Sequence, residues 1–327
     1  MSKPTNGILP APGFHLGHTL ASGQVFRWGR DTDGWWKGIA CGAAFHLKQE
    51  GEKLLYRASS ARTGACAGDL DIEPFLRWYL RLDEPVRVRV PRGDRRLREA
   101  LRALTGFRFV RQDPFECIVS YVLSVQAHMA LTRRRIALLS RLLGAPIEFE
   151  GERYWTFPSP GALASLTGAC LRGHRFGYRS EKVISSARIV ADRLGAPGPS
   201  PGLDAWREIG DLLRATPGSG VGLKVAKCVD LFALDRLGAF AVDTWVRKMA
   251  EDWYGVTGPD AHISAWGEAR YGPQAGYAGE HLFAWYREQH ATALTDRVIS
   301  FCASGEPSPE MPYEKPPALP QPKRGFP

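Results

Sequence analysis

Six cysteines stand alone at positions 41, 66, 117, 170, 228 and 302, and no two of them form a Cys-x-x-Cys pair. That argues against a structural zinc site and against a four-cysteine iron–sulfur cluster, so no metal and no cofactor is expected. Isolated thiols suit a reducing compartment, and a cytoplasmic protein is expected. No run is long and apolar enough to span a bilayer, and the start MSKPTNGILPAPGFH lacks the apolar stretch of a signal peptide, so no membrane association is expected. Internal repeats are missing. So are the nucleotide-binding patterns: Leu223 and Val225 flank Lys224 where a P-loop needs Gly-Lys-Ser/Thr, and the dinucleotide fingerprint lacks its third glycine.

What is present is length, apolar content and positive charge. The chain has 327 residues, 44% of them hydrophobic, enough for one large domain or two ordinary ones, and a net charge of +9. A basic chain calls for an acidic partner, nucleic acid in the simplest case, although a soluble basic protein fits the charge as well. Residues 1–110 read as an antiparallel β-sheet domain with flanking helices. GQVFRWGR, GWWKGIACG, AAFHLKQE and KLLYRAS are short aromatic and β-branched runs between turn residues, and helical spacing follows over 73–82 and 93–105. From Asp113 the pattern turns helical. Asp113 suits an N-cap, Pro114 the first helical position, and Glu116 completes a capping box. Residues 111–303 are predicted to be almost wholly helical, over 114–126, 129–143, 160–166, 180–194, 204–214, 223–236, 243–253, 261–269 and 277–294. The Pro-rich stretch 304–327 builds no packed element. The fold class is therefore α+β, a β-sheet domain followed by a mostly α-helical one.

The stretch GVGLKVAKC, residues 220–228, carries the most chemistry. Alternating glycines lead into a helix, so the amides around Gly220, Gly222 and Val225 can face a phosphate without reading sequence. Lys224 sits in the first turn of that helix, where the dipole and desolvation favour a neutral amine. Cys228 follows one turn later on the same face. Asp243, in FAVDTWVRKM, is placed to cap the next helix. Singly, Lys224 reads as a solvated base and Asp243 as a cap. Together, a lysine nucleophile and an aspartate beside a phosphate clamp describe cleavage of a glycosidic bond through a Schiff base.

At this point the chain resembles the helix-hairpin-helix DNA glycosylases, and among them the 8-oxoguanine DNA glycosylases, over most of residues 20–295. GVGLKVAKCVDLFALD is similar to that family's hairpin and catalytic helix, and VDTW to the segment with its catalytic aspartate. The resemblance implies Lys224 as nucleophile, Cys228 beside it, and Asp243 as the assisting carboxylate. LASGQVFRW resembles the strand in which a glycine carbonyl, here Gly23, meets the N7 hydrogen of the oxidised guanine. QDPFECIVSYVLS and GYRSEKVISSA put Tyr178 and Arg179 in the segment that pries into the duplex, and AGYAGEHLF puts Phe283 where an aromatic stacks on the flipped base.

The chain departs from the family at several of these positions. Gln126 takes the place of the asparagine that fills the vacated stack. Leu131 stands for an arginine that helps read the opposite cytosine, Gly279 for the glutamine that bonds the lesion edge, and Trp245 for a histidine of some members. Arg133, Arg134 and Arg135 could touch phosphates or form a solvated face. His128 and His281 read as polar neighbours of the cleft, and Trp35 and Trp36 as sheet core. The resemblance implies a monomeric repair enzyme acting on damaged double-stranded DNA (nucleoid-associated in a bacterium, nuclear in a eukaryote). Another purine lesion, or a non-catalytic hairpin module, are the alternatives.

Phosphate contacts release counterions, so binding to duplex DNA should be salt-dependent. With about four phosphates neutralised, affinity should fall about a hundredfold between roughly 50 and 200 mM salt. A fluorescence-anisotropy titration that stayed flat over this range would contradict the nucleic-acid reading.

Overall fold

The computed structural model describes residues 5–59, 70–195 and 202–290. The Pro-rich stretch, Cys66, Cys302 and the end of the helix expected over 277–294 lie outside them. Five strands form one antiparallel sheet: β1 (Thr5–Pro10), β2 (Trp28–Arg30), β3 (Trp36–Ala40), β4 (Ala43–Glu50) and β5 (Lys53–Ala58). Their order is β1-β5-β4-β3-β2, so β2 to β5 make the expected meander and β1 runs back along β5, pairing Thr5 with Ala58 and Pro10 with Lys53.

The run GQVFRWGR becomes a strand only from Trp28. Residues 23–27 leave the sheet because Gln24 is held elsewhere. Its Nε2 donates to the carbonyls of Thr19 and Arg108, both at 2.9 Å, and its Oε1 accepts from Val110 N at 2.8 Å.

Strand β4 is buried on both faces. Phe45 and Leu47 join Leu54, Phe75 and Tyr79 in one core, while Ala44 and Ile39 pack on Ile147 and Phe149. Those last two belong to β6 (Pro146–Phe149), which pairs with β7 (Glu152–Trp155) in a hairpin that the sequence pattern did not suggest. His46 anchors it from β4, with Nδ1 3.0 Å from Glu150 Oε2 and Nε2 2.8 Å from the Tyr154 hydroxyl.

The remaining elements are helical. A short α1 (Leu16–Ala21) precedes β2, and α2 (Ile72–Tyr79) and α3 (Arg95–Ala103) follow the sheet. Then come α4 (Pro114–Ser124), α5 (Met129–Leu143), α6 (Pro160–Ala164), α7 (Gly168–Arg172), α8 (Arg179–Leu194), α9 (Leu203–Ala215), α10 (Leu223–Ala233), α11 (Thr244–Tyr254), α12 (Asp260–Tyr271) and α13 (Ala275–His290). The main helical core wraps α4, whose residues Cys117 to Leu123 are all buried, against α8 and α10. A second core joins α11, α12 and α13 with Leu97 and Ala100 of α3. No helix among the described residues is long and apolar enough to cross a membrane.

Asp113 caps α4 as expected, accepting from Glu116 N at 2.8 Å. The capping box is only half formed, however. The Glu116 carboxylate takes the Arg27 guanidinium instead, at 3.1 Å, because a buried carboxylate gains more from an opposite charge than from one amide.

Sheet-side and helix-side segments meet at Arg81, whose side chain is 1% exposed. It donates to Glu84 at 2.6 Å and to Asp235 just beyond α10, and Arg111 reaches the other Asp235 oxygen at 3.2 Å. Removing Arg81 leaves Asp235 and Glu84 paired with Arg111, so the loss is that of its own packing and charge-assisted hydrogen bonds. Arg81→Ala is expected to destabilise the fold by about 1.5–3 kcal/mol, read as a lower urea midpoint.

Candidate active site

The glycine hairpin lies between α9 and α10 and is fixed by Ser219. Its hydroxyl donates to the Leu213 carbonyl at 2.6 Å and accepts from Val221 N at 3.1 Å, while its own carbonyl accepts from Ser186 of α8. Gly220 has φ of +86°, in the left-handed region, and a Cβ there would sit 2.8 Å from Lys182 Cβ and 3.1 Å from Val122. A glycine is required on both counts. Gly222 is exposed and caps α10 through its backbone alone, since no side chain bonds the helix start. The first amides of α10, those of Leu223, Lys224 and Val225, are thus left for an outside acceptor. Val225 can offer only its amide, as its side chain is buried.

Lys224 points from the first turn of α10 toward α4. Its Nζ donates to Ser124 Oγ at 3.1 Å and lies 4.9 Å from the centre of the Tyr121 ring. No carboxylate among the described residues comes within ion-pair distance of it. The next lysine on the helix, Lys227, is by contrast held by Glu268 at 2.5 Å. The same Glu268 oxygen accepts from Phe240 N at 3.2 Å.

Asp243 caps α11, its Oδ1 accepting from Trp245 N and Val246 N, both at 2.9 Å. Its charge and that of Lys224 both act on Cys228 and on Glu280 of α13. Cys228 is buried, and burial pushes its thiol up to about 12, so it is a neutral thiol at neutral pH. Glu280 is half-buried, and desolvation pushes its carboxyl up to about 7. The sequence reading missed Glu280. An acid on the face of a terminal helix looks solvated until α10 and Asp243 are seen to close around it.

Tyr121 joins this pocket to Gly23. Its hydroxyl donates to the Gln24 carbonyl at 3.2 Å, and Gln112 Nε2 donates to the same oxygen at 2.7 Å. Gly23 has φ of +103°, and a Cβ on it would lie 2.7 Å from the Met129 methyl. It sits in the held loop before β2, not in a strand.

On α13, Phe283 is half-buried with the Arg287 guanidinium 4.9 Å over its ring. A Cβ on Gly279, one turn earlier, would lie 2.9 Å from the Phe240 ring. That ring occupies the space a longer side chain at position 279 would need.

A second cluster lies at the start of α8. Tyr178 is 54% exposed and donates to Gln126 Oε1 at 3.1 Å. Gln126 is itself exposed, with φ of +49°. Arg179 turns inward: it is 7% exposed, stacks 4.5 Å from the Tyr178 ring, and donates to the carbonyls of Val125 (Nε, 2.8 Å) and Gln126 (Nη2, 2.9 Å). Its hydrogen bonds hold the 125–126 turn, and Tyr178 is the side chain offered outward.

Several side readings resolve differently. Arg135 joins neither a phosphate-facing nor a solvated face. It is 6% exposed, donates to the Arg175 carbonyl at 2.8 Å and lies over Phe176. Trp36 serves the sheet core as expected, but Trp35 faces outward beneath Arg57, 4.4 Å away. His281 is buried with Nδ1 2.6 Å from the Tyr277 carbonyl, and burial lowers its pKa to about 4, so it is a neutral packing residue.

The chain is similar to known proteins over much of its length. Residues 8–118 match the family model of the 8-oxoguanine DNA glycosylase N-terminal domain. A probable N-glycosylase/DNA lyase of Methanothermobacter thermautotrophicus is 30% identical over 226 residues, 63% of this chain and 70% of that protein. The N-glycosylase/DNA lyase OGG1 of Arabidopsis thaliana is 27% identical over 278 residues, 81% of this chain and 75% of its own. The solved structure of MBOgg1 in complex with a low-affinity DNA ligand superposes with a TM-score of 0.73 at 27% identity, covering 88% of this chain and 98% of that one. With the glycine hairpin, the lysine at its helix start and the capping aspartate all in place, the chain belongs to the 8-oxoguanine DNA glycosylase family of helix-hairpin-helix N-glycosylase/DNA lyases.

Proposed function

We propose that this protein is a base-excision-repair enzyme that removes 8-oxoguanine from duplex DNA and then nicks the strand at the abasic site. One observation carries the reading. Of the two lysines on the hairpin helix, Lys224 alone is left without a carboxylate partner among the described residues, and the charges of Lys224 and Asp243 meet at Cys228.

The open amides of α10 and the hairpin glycines hold a backbone phosphate, and Tyr178 enters the duplex as the damaged nucleotide leaves it. The extruded base stacks on Phe283, with the Gly23 carbonyl at its N7 hydrogen. Lys224, as the neutral amine, attacks C1′ of the sugar. The C1′–N9 bond breaks and the base departs with the electron pair and takes up a proton. Asp243 stabilises the positive charge that builds on the sugar, its carboxylate held in place by the two α11 amides. The lysine nitrogen, having given up a proton, pushes its lone pair onto C1′ as the C1′–O4′ bond breaks and O4′ takes up a proton; the protonated Schiff base so formed makes the C2′ proton acidic. Loss of that proton expels the 3′ phosphate by β-elimination, and water then frees the lysine.

Two variants test the roles separately. Lys224→Gln should abolish both base release and borohydride-trapped covalent complex, while Lys227→Gln should still be trapped. Persistent trapping in Lys224→Gln would place the nucleophile elsewhere. Asp243→Asn keeps a residue that caps about as well as aspartate but removes the charge. Its melting temperature should stay close to that of the parent, with single-turnover base release reduced about 100-fold or more, a barrier change of roughly 2.7 kcal/mol. Near-normal turnover would reduce Asp243 to a cap.

A further inference from the structure

Glu280 borders the pocket, and the chemistry just described does not use it. It sits one turn before Phe283 on α13, and residues three apart share a helix face. Among the described residues it has no hydrogen-bond or ion-pair partner. The charged and titratable groups that act on it or feel it come from four elements: Lys224 and Cys228 of α10, Asp243 at the start of α11, Tyr121 of α4 and Arg287 of α13.

The other polar groups of the pocket are committed or of the wrong kind. Lys224 can only donate. One oxygen of Asp243 already takes two amides, and the Tyr121 hydroxyl donates to Gln24. The Cys228 thiol is neutral and buried. Gly279 has no side chain, and the Phe240 ring fills the space beside it. Of the two carboxylates, Asp243 has one oxygen engaged, whereas Glu280 has neither oxygen engaged among the described residues.

We propose that the Glu280 carboxylate reads the Watson–Crick edge of the extruded base, accepting hydrogen bonds from N1–H and from the N2 amino group of an oxidised guanine. This rests on the reading that the pocket takes a flipped base. A carboxylate offers two acceptors side by side and no donor, which matches the two adjacent donors of guanine. An adenine-type edge presents a lone pair at N1 and would be repelled. Desolvation holds the carboxyl near 7, so the ionised form that makes both bonds is dominant only above that pH.

The test compares the parent with Glu280→Gln and Glu280→Ala, assayed above the titration of the carboxyl. Three duplexes are used: one with 8-oxoguanine, one with 8-oxohypoxanthine (which lacks the N2 amino group) and one with a preformed abasic site. The parent should remove 8-oxoguanine faster than 8-oxohypoxanthine. Glu280→Gln should lose about 10- to 100-fold on 8-oxoguanine, as expected for hydrogen bonds to a charged group, and the gap between the two bases should narrow. Borohydride trapping on the abasic site should persist in both variants, since that substrate carries no base to hold, and this also reports that they fold.

Equal losses on abasic and 8-oxoguanine DNA would overturn the proposal and point to Glu280 acting on the lysine proton. An unchanged 8-oxoguanine rate in both variants would overturn it too. A parent protein that traps on abasic DNA yet leaves 8-oxoguanine intact would instead sink the functional reading, and this proposal with it.

Discussion

The Tyr121 side chain ties the two halves of the site together. Its hydroxyl reaches the Gln24 carbonyl, and its ring lies 4.9 Å under the Lys224 ammonium. The sheet-side loop with Gly23 and the hairpin helix with Lys224 come from distant parts of the chain, and a rigid aromatic on the most buried helix sets their spacing. Rigidity comes from α4 being covered on every side, so Tyr121 has no freedom to shift without disturbing Phe232, stacked 5.4 Å away. Burial also keeps the Tyr121 phenol un-ionised, its pKa raised well above the ordinary tyrosine value. A neutral donor and a neutral ring are what the Gln24 carbonyl and the lysine each require.

The helical half was legible because its signals are local. Asp113-Pro114, the glycines before Leu223 and the apolar spacing of each helix are decided within a turn or two, and those helices fall within a few residues of where the pattern put them. The motif residues Lys224, Cys228 and Asp243 were legible for the same reason, one hairpin and two helix starts fixing them. What stayed hidden depends on contacts between distant segments. Gln24 looks like any polar residue in a β-rich run until its amide is seen tying three backbone groups, which ends the strand early. Arg135 sits in a run of three arginines that reads as a solvated face, yet the Phe176 ring and the Arg175 carbonyl draw it inside. The β6–β7 hairpin is too short and too charged to show an alternating pattern, and its burial against β4 supplies the reason for its existence.

Gly279 and Phe240 show how a family position can change without opening a hole. A glycine on α13 leaves a gap, and a phenylalanine from the segment before α11 fills it, its ring within 2.9 Å of where a Cβ would be. Protein interiors are packed as densely as crystals, and the ring leaves no void beside the glycine. A long polar side chain at 279 would now have to displace a fully buried ring.

The placement of the two lysines on α10 completes the physical logic. Lys224 and Lys227 are three residues apart on one helix, and their side chains reach to different elements. On one flank stands α12, whose Glu268 takes the Lys227 ammonium and also holds the Phe240 amide. On the other stands the end of α4, which offers Lys224 only a serine hydroxyl and an aromatic face. An ammonium paired with a carboxylate is stabilised as a cation and is a poor nucleophile. A serine hydroxyl and an aromatic face hold the other amine in position with no carboxylate among the described residues in reach. Both lysines are positioned by the fold, and among the described residues Lys224 is the one that has no carboxylate within ion-pair distance.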